Sequence, residues 1–298
     1  MISQIRSVGF VGKSLNPLTK GSISMGVRAA RKCVDSSGID PSDIGLLIFC
    51  GIYRDENIGE PAIASIVQSK LGLNLLTKGD KATFAFDLLN SGCGVLTAIH
   101  VADSNIRSGS SKYALIVASD SIPIPTHTIG FPFQPGGGAV LLERSTDGKG
   151  LADFRFDIYP TDKDMFHSFI EYEDGAGSGE KKGQFLRFEE NPEFLNKVVS
   201  GAVTTVKKLM EKNSLAADDI AIVLPSQSPK GFPSSFGRAS GMGAKVTDLT
   251  DTYGNLHTAG IVACMEKAMK GGKLPDGGNI ILLNVGSGIS VGAALLKT

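Results

Sequence analysis

Apolar positions recur along the chain at two periods, and the order in which those periods alternate gives its organisation. A first strand is expected over Ile5–Val11, followed by a helix that carries Ile23, Val27, Ala30 and Val34 on one face and stops at Gly38. The run Ile44–Cys50 is apolar without alternation, as suits a parallel strand covered on both faces. A helix around Pro61–Leu71 leads to a strand-like run at Phe84–Leu88, a tight turn at Asn90–Gly94, and a helix over Val95–Ser108 with Val95, Leu96, Ala98, Ile99, Ala102 and Ile106 at helical spacing. Strands at Tyr113–Ala118 and Ala139–Glu143 close this half. The stretch Ser145–Gly183, rich in Gly, Asp, Lys and Ser, reads as a crossover with little regular structure apart from the alternating Leu151–Ile158. Beyond it come an amphipathic helix over Pro192–Lys212, a strand at Ile220–Leu224, a helix over His257–Lys270 and a buried strand at Ile280–Asn284.

The second half repeats the first. Asp43-Ile44 lies over Asp219-Ile220 at an offset of 176, which sets Cys50 over Ser226; at an offset of 162 the helix Val95–Ser108 lies over His257–Lys270, Gly109 over Gly271 and Cys93 over Asn255. A two-fold repeat with strand–helix order in each half predicts two similar α/β lobes, residues 1–148 and 149–298, packed so that equivalent turns face each other across one cavity. That cavity would receive Cys93 and Asn255.

Composition narrows the partners. Thirty basic and thirty acidic residues give no net charge, and neither sign runs in blocks, so no electrostatic footprint for nucleic acid or a membrane surface exists. Met1–Arg6 lacks the apolar core of a secretory signal, and the longest apolar stretch, Ile280–Leu296, is cut by Asn284 and several glycines. Cytoplasm is the expected compartment. Cys33, Cys50, Cys93 and Cys264 have no close pairs and no histidine at ligand spacing, so neither a metal site nor a disulfide framework is expected. Cys93 is distinct in position: a thiol on a strand-to-helix turn sits by unpaired amides carrying about half a positive charge, which favours a thiolate. On the residues alone, a small buried thiol under the turn is the alternative.

Several passages taken together resemble the thiolase superfamily, within it the beta-ketoacyl-acyl-carrier-protein synthase III branch. They are Phe86-Asp87 six residues ahead of Cys93, Ala114–Asp120, Gly136–Val140, Leu224-Pro225-Ser226-Gln227, Tyr253-Gly254-Asn255, and Gly286-Ser287-Gly288 with Gly292–Leu295. The resemblance implies a five-layered αβαβα fold with two pseudo-symmetric halves, a homodimer or a heterodimer with a related ketosynthase, and an acyl group carried from coenzyme A or acyl-carrier-protein phosphopantetheine, used as substrate rather than tightly bound cofactor. In such a dimer the strand Tyr113–Ala118 is expected to lead toward the subunit interface. The resemblance places the nucleophile at Cys93, the catalytic asparagine at Asn255 and an oxyanion-binding amide at Ser287. The histidine position falls on Ser226, whose hydroxyl is shorter than an imidazole and holds no charge, so an atypical site lacking the expected histidine follows, with decarboxylative condensation weakened. His257, in the same turn as Asn255, supplies an imidazole if its ring faces the cavity; a solvated or core histidine is the other reading. Lys230 and Arg238 are the candidate phosphate contacts. The segment from Leu15 is short and the chain has no tryptophan, which departs from the family's usual grip on the adenine. The expected activity is acyl transfer in fatty acid, polyketide or related metabolism; a catalytically impaired subunit supporting an active partner is the alternative.

Overall fold

The computed structural model describes residues 2–13, 21–76, 81–173, 183–270 and 277–298. The segment from Leu15 to residue 20 and the Gly271 of the repeat lie outside them. The first sheet contains β1 (Ser3–Val11), β2 (Ile44–Phe49), β3 (Phe84–Asp87), β4 (Tyr113–Asp120) and β5 (Gly136–Arg144) in the order β1-β5-β4-β2-β3, with β2 parallel to both β3 and β4. The second contains β6 (Gly150–Ile158), β9 (Ile220–Pro225), β10 (Asn279–Gly286) and β11 (Ser290–Lys297) in the order β6-β11-β10-β9, with β9 parallel to β10. The two orders match strand for strand: β1 corresponds to β6, β5 to β11, β4 to β10 and β2 to β9. At the position of β3 the second sheet has only a parallel bridge from Val223 to Val246.

Helices fill three layers around these sheets. α1 (Ser22–Ser37) and α2 (Ile63–Leu71) cover the outer face of the first sheet, burying Val27, Ala30 and Cys33, with Ile63 and Val67, against Leu47, Leu115 and Leu141. α3 (Gly94–Arg107) and α7 (Gly260–Lys270) lie between the sheets, where Leu96, Ile99 and Ile106 meet Val262 and Met265 together with Ile48 and Ile116 of one sheet and Ile280 and Leu282 of the other. α4 (Phe194–Lys212) and α5 (Phe232–Ser240) cover the outer face of the second sheet through Val198, Val206 and Phe236. The short α6 (Thr250–Tyr253) leads toward α7. This is the five-layered αβαβα arrangement. Central strands such as β2 and β10 are largely apolar on both faces because helices close both faces, leaving no solvent side to pattern.

One element differs from the sequence expectation. The crossover and the residues just after it carry a two-stranded antiparallel ribbon, β7 (Phe166–Glu173) with β8 (Gly183–Glu190), apart from both sheets. β7 is mostly exposed and β8 half-buried, and both are interrupted by charges, so they give a weak periodic signal. β4, the strand expected to lead toward a subunit interface, is the central strand of its sheet, paired with β2 and β5, and the outer strands of that sheet are β1 and β3.

Candidate active site

The parallel strands β3, β4, β9 and β10 all end on one side of the two sheets, where ligands gather in open α/β structures because the strand ends leave a crevice that loops and helix N-termini complete. A half-open cavity lies there, lined by Ser91, Phe133, Phe166, Glu190, Phe194, Ser228, Pro229, Asn255, His257, Val285, Gly286 and Ser287. Both halves and the β7–β8 ribbon contribute. The ribbon supplies Glu190 and Phe166, the latter from the stretch that the sequence reading left as irregular crossover, and Phe166 stacks on Phe194 at 5.6 Å. Desolvation raises the Glu190 carboxyl above its ordinary value.

At the turn after β3 the structure places Cys93 and Ser91 differently with respect to the cavity. Cys93 is fully buried, does not line the cavity, and its thiol donates to the Ser290 carbonyl at 3.2 Å. Burial pushes that thiol up to about 12, against the direction that a helix N-terminus alone would give. Desolvation wins because apolar side chains and backbone surround the sulfur. The side chain that reaches the cavity from this turn is Ser91. Its backbone is in the left-handed region, with φ 45°, and this bend aims the hydroxyl toward β10 while the residue two positions on turns inward. Ser91 Oγ accepts from the Ser287 amide at 3.1 Å and from the Ser287 hydroxyl at 2.9 Å. The turn can approach β10 this closely because Gly92 and Gly286 have no side chains: a Cβ on Gly92 would lie 2.2 Å from the Val285 carbonyl oxygen, and one on Gly286 would lie 3.0 Å from Ser91 Cβ.

Asn255 does line the cavity. Its Nδ2 donates to the Pro132 carbonyl at 2.9 Å, which fixes the orientation of the amide, and Oδ1 is buried with no hydrogen-bond partner among the described residues. Asn255 thus has an unpaired carbonyl oxygen in the cavity wall and a second Nδ2 hydrogen not used in the bond to Pro132. Ser226 does not join it. The Ser226 hydroxyl is 1% exposed and accepts from Asn284 Nδ2 at 2.8 Å and from the Val285 amide at 3.1 Å, tying the end of β9 to β10 beneath the cavity floor.

An imidazole is nevertheless present, and it is His257. The ring lies in the cavity wall, 4.4 Å from the Phe133 ring and 5.3 Å from that of Tyr53. Its Nδ1 is 3.3 Å from Asp120 Oδ2, at the end of β4. Asp120 is itself surrounded by donors: the Ile52 and Tyr53 amides at 2.8 Å on one oxygen, and the Thr258 amide at 3.0 Å and hydroxyl at 2.5 Å on the other. Burial by itself would raise this carboxyl, but the imidazole and these donors outweigh it and hold it at about 2. An ionised carboxylate only accepts, so Nδ1 of His257 carries the proton that faces it, and Nε2 is left without a hydrogen bond among the described residues. The end of β9 carries Ser226 at the expected histidine position, and the imidazole in the cavity wall comes from the turn before α7, where His257 was weighed as its source.

Of the remaining candidates, Ser287 is in the cavity wall with its amide on Ser91. Lys230 is exposed one residue after the cavity-lining Pro229, and Arg238 is exposed at the far end of α5; the structure does not bring them together. Among the described residues no group of three or more His, Cys, Asp or Glu is placed to hold a metal ion, and no helix is long and apolar enough to cross a membrane.

Comparison with known proteins accounts for this architecture. Residues 210–298 match the family model for the C-terminal part of 3-oxoacyl-acyl-carrier-protein (ACP) synthase III, and residues 86–160 match the model for 3-oxoacyl-ACP synthase III itself. The chain is similar to the beta-ketoacyl-acyl-carrier-protein synthase III of Rhizorhabdus wittichii, at 30% identity over 280 residues covering 92% of this chain and 83% of that protein. It is similar at 28% identity to the same enzyme of Sphingopyxis alaskensis, again covering 92% and 83%. The crystal structure of 3-oxoacyl-acyl-carrier-protein synthase III from Aquifex aeolicus superposes with a TM-score of 0.81 at 21% identity, covering 99% of this chain and 100% of that one. That of Xanthomonas campestris OleA with bound lauric acid and lauroyl-CoA superposes with a TM-score of 0.83 at 18% identity, covering 100% and 99%. With the layered fold, the paired halves and the cavity at the strand ends, these matches show that the chain belongs to the 3-oxoacyl-acyl-carrier-protein synthase III family of the thiolase superfamily.

Proposed function

We propose that this protein is an acyltransferase of the ketosynthase III type, which takes an acyl group from a coenzyme A or acyl-carrier-protein thioester in the cavity between its halves. The observation that carries the reading is the convergence on that cavity of a serine hydroxyl at a helix N-terminus, a backbone amide at Ser287 and an imidazole at His257 held by a buried carboxylate. Acyl transfer needs such a set: a nucleophile, a donor for the oxygen on which charge develops, and a base. The aromatic wall of Phe133, Phe166 and Phe194 suits an apolar acyl group. Carbon–carbon condensation would require donors on an enolate oxygen, for which Ser226 is turned away and Asn255 has one amide hydrogen committed to Pro132. Transfer without condensation is therefore the favoured form of the activity.

The burial of every cysteine favours a second reading, a subunit that shapes the pocket of an active ketosynthase without acylating itself. Release of free thiol from a panel of acyl-coenzyme A and acyl-carrier donors, followed colorimetrically, separates the two. The acyltransferase reading expects enzyme-dependent thiol release with at least one donor class; no release from any donor rejects it in favour of the supporting subunit.

A further inference from the structure

We infer that Glu190 sets the charge of the acyl group that this cavity accepts, admitting uncharged chains and turning away those that end in a carboxylate; this deepens the acyl-transfer reading and rests on it. The placement follows from strand register. Glu190 stands directly opposite Phe166 in the β7–β8 ladder, and residues paired across a ladder project from the same face, so the carboxylate comes to the cavity beside the Phe166 ring. The ladder is pinned just beyond this pair, where the Asn191 amide donates to the Met165 carbonyl at 2.9 Å. The Phe166 ring lies 5.6 Å from that of Phe194 and 6.1 Å from that of Phe133, so the charge shares the cavity with an aromatic wall.

No cation in the wall offsets that charge. Among the described residues that line the cavity, the other ionisable side chain is His257, and any charge it takes up is balanced by Asp120 at 3.3 Å. The cations on and around the ribbon are engaged elsewhere: Arg187 with Glu171, Lys163 with Asp164 at 2.6 Å and Lys197 with Asp162 at 3.0 Å. Lys230 is exposed beyond Pro229 and outside the lining. Glu190 has no ion pair among the described residues, and desolvation is what raises its carboxyl above the ordinary value, as expected of a charge that has lost water without gaining a partner. Selection of this kind works by repulsion. A terminal carboxylate on the acyl chain would give up its own water beside a like charge with no cation to receive it, whereas an alkyl chain meets only the three rings.

The test is titration calorimetry with two unreactive thioethers, S-carboxyethyl-coenzyme A and its amide, S-carbamoylethyl-coenzyme A, at about pH 8, where a carboxyl such as Glu190 is ionised. The two have one shape and differ by a single charge, and the coenzyme A phosphates are common to both, so they cancel from the comparison. Wild type is expected to bind the amide at least about tenfold more tightly. Glu190→Gln should bring the two within about twofold of each other, and Glu190→Asp, which keeps the charge, should retain the preference. The wild-type preference should also shrink as salt rises from about 0.02 M to about 0.5 M, which a purely steric role of the side chain would not produce. Equal binding of the two thioethers by wild type, or a preference that Glu190→Gln leaves unchanged, overturns the inference; thiol release from butyryl-coenzyme A, followed alongside, then still stands for the acyl-transfer reading. A preference that Glu190→Gln abolishes, with no thiol release from butyryl-coenzyme A, supports the charge selection and rejects the transfer. Binding of neither thioether by a folded wild type overturns both.

Discussion

Asp120 holds the cavity wall together at the level of single atoms. Amides of Ile52, Tyr53 and Thr258, the Thr258 hydroxyl and the His257 imidazole all converge on its carboxylate, so that the loop after β2, the end of β4 and the turn before α7 share one charge. The group is held at about 2 in the folded chain, against an ordinary value of 3.8. The folded state thus binds this proton less tightly than the unfolded state. The stabilisation is complete above about pH 4 and is lost as pH falls through about 2, and a shift of this size corresponds to roughly 2–3 kcal/mol. Urea unfolding at a series of pH values should show that loss, and Asp120→Asn should lack this part of the slope and be less stable at pH 7, since its amide NH₂ would face donors. An unchanged slope between pH 4 and 2 in the variant would contradict the account. None of this was legible in the sequence beyond Asp120 closing an apolar strand. Nor was the direction of the side chains at the elbow, because one φ angle, at Ser91, decides which of Ser91 and Cys93 meets the cavity. Residue chemistry drew attention to the thiol, whereas the backbone turns the Ser91 hydroxyl toward the cavity. The one available signal was a small polar residue next to Gly92 in a strand-to-helix turn.

Among the elements, the repeat was the most legible feature, since it depends on spacing and spacing survives divergence. The offset of 176 sets the turn Pro41–Asp43 and strand β2 over the turn Ala217–Asp219 and strand β9, each turn a single 3₁₀ turn leading into a parallel strand. The elbow helix was expected over Val95–Ser108 and spans Gly94–Arg107. The β7–β8 ribbon was not legible because it has no counterpart in the first half and its strands mix aromatic with charged and polar residues, as in Phe166–Glu173, with no long apolar face to announce them. The contact of the elbow with β10 gives a prediction at this scale. A Cβ added at Gly92 would meet backbone at the Val285 carbonyl, which no rotamer change relieves. Gly92→Ala should therefore destabilise the protein by about 2–3 kcal/mol, by differential unfolding in urea. A variant as stable as wild type would mean that the elbow yields without cost.

For the molecule as a whole, the β3 edge of the first sheet is a feature that one chain leaves unfinished. β3 pairs with β2 on one side only, and Phe84 on it is 67% exposed, with Leu89 just beyond it 61% exposed. Unpaired strand edges bearing large apolar side chains promote pairing with another chain unless something covers them. The Arg54–Asp87 ion pair at 2.9 Å ties the end of this strand into its own lobe, and Asp87 also accepts from the Ile63 and Ala64 amides at the start of α2, so the edge is held rigid rather than frayed. A rigid, apolar edge favours association over local unfolding. We therefore expect the protein to sediment as a dimer at micromolar concentration, and Phe84→Asp with Leu89→Asp to shift it toward monomer while leaving its unfolding midpoint at subdimer concentrations unchanged, because both side chains are mostly in water in the single chain. Ser91 follows β3 by four residues, so a dimer built on this edge would place its interface close to the elbow. Loss of thiol release from acyl thioesters together with dimerisation in the double variant would show that the edge supports the site. A wild type that sediments only as a monomer would remove the edge from any role in assembly.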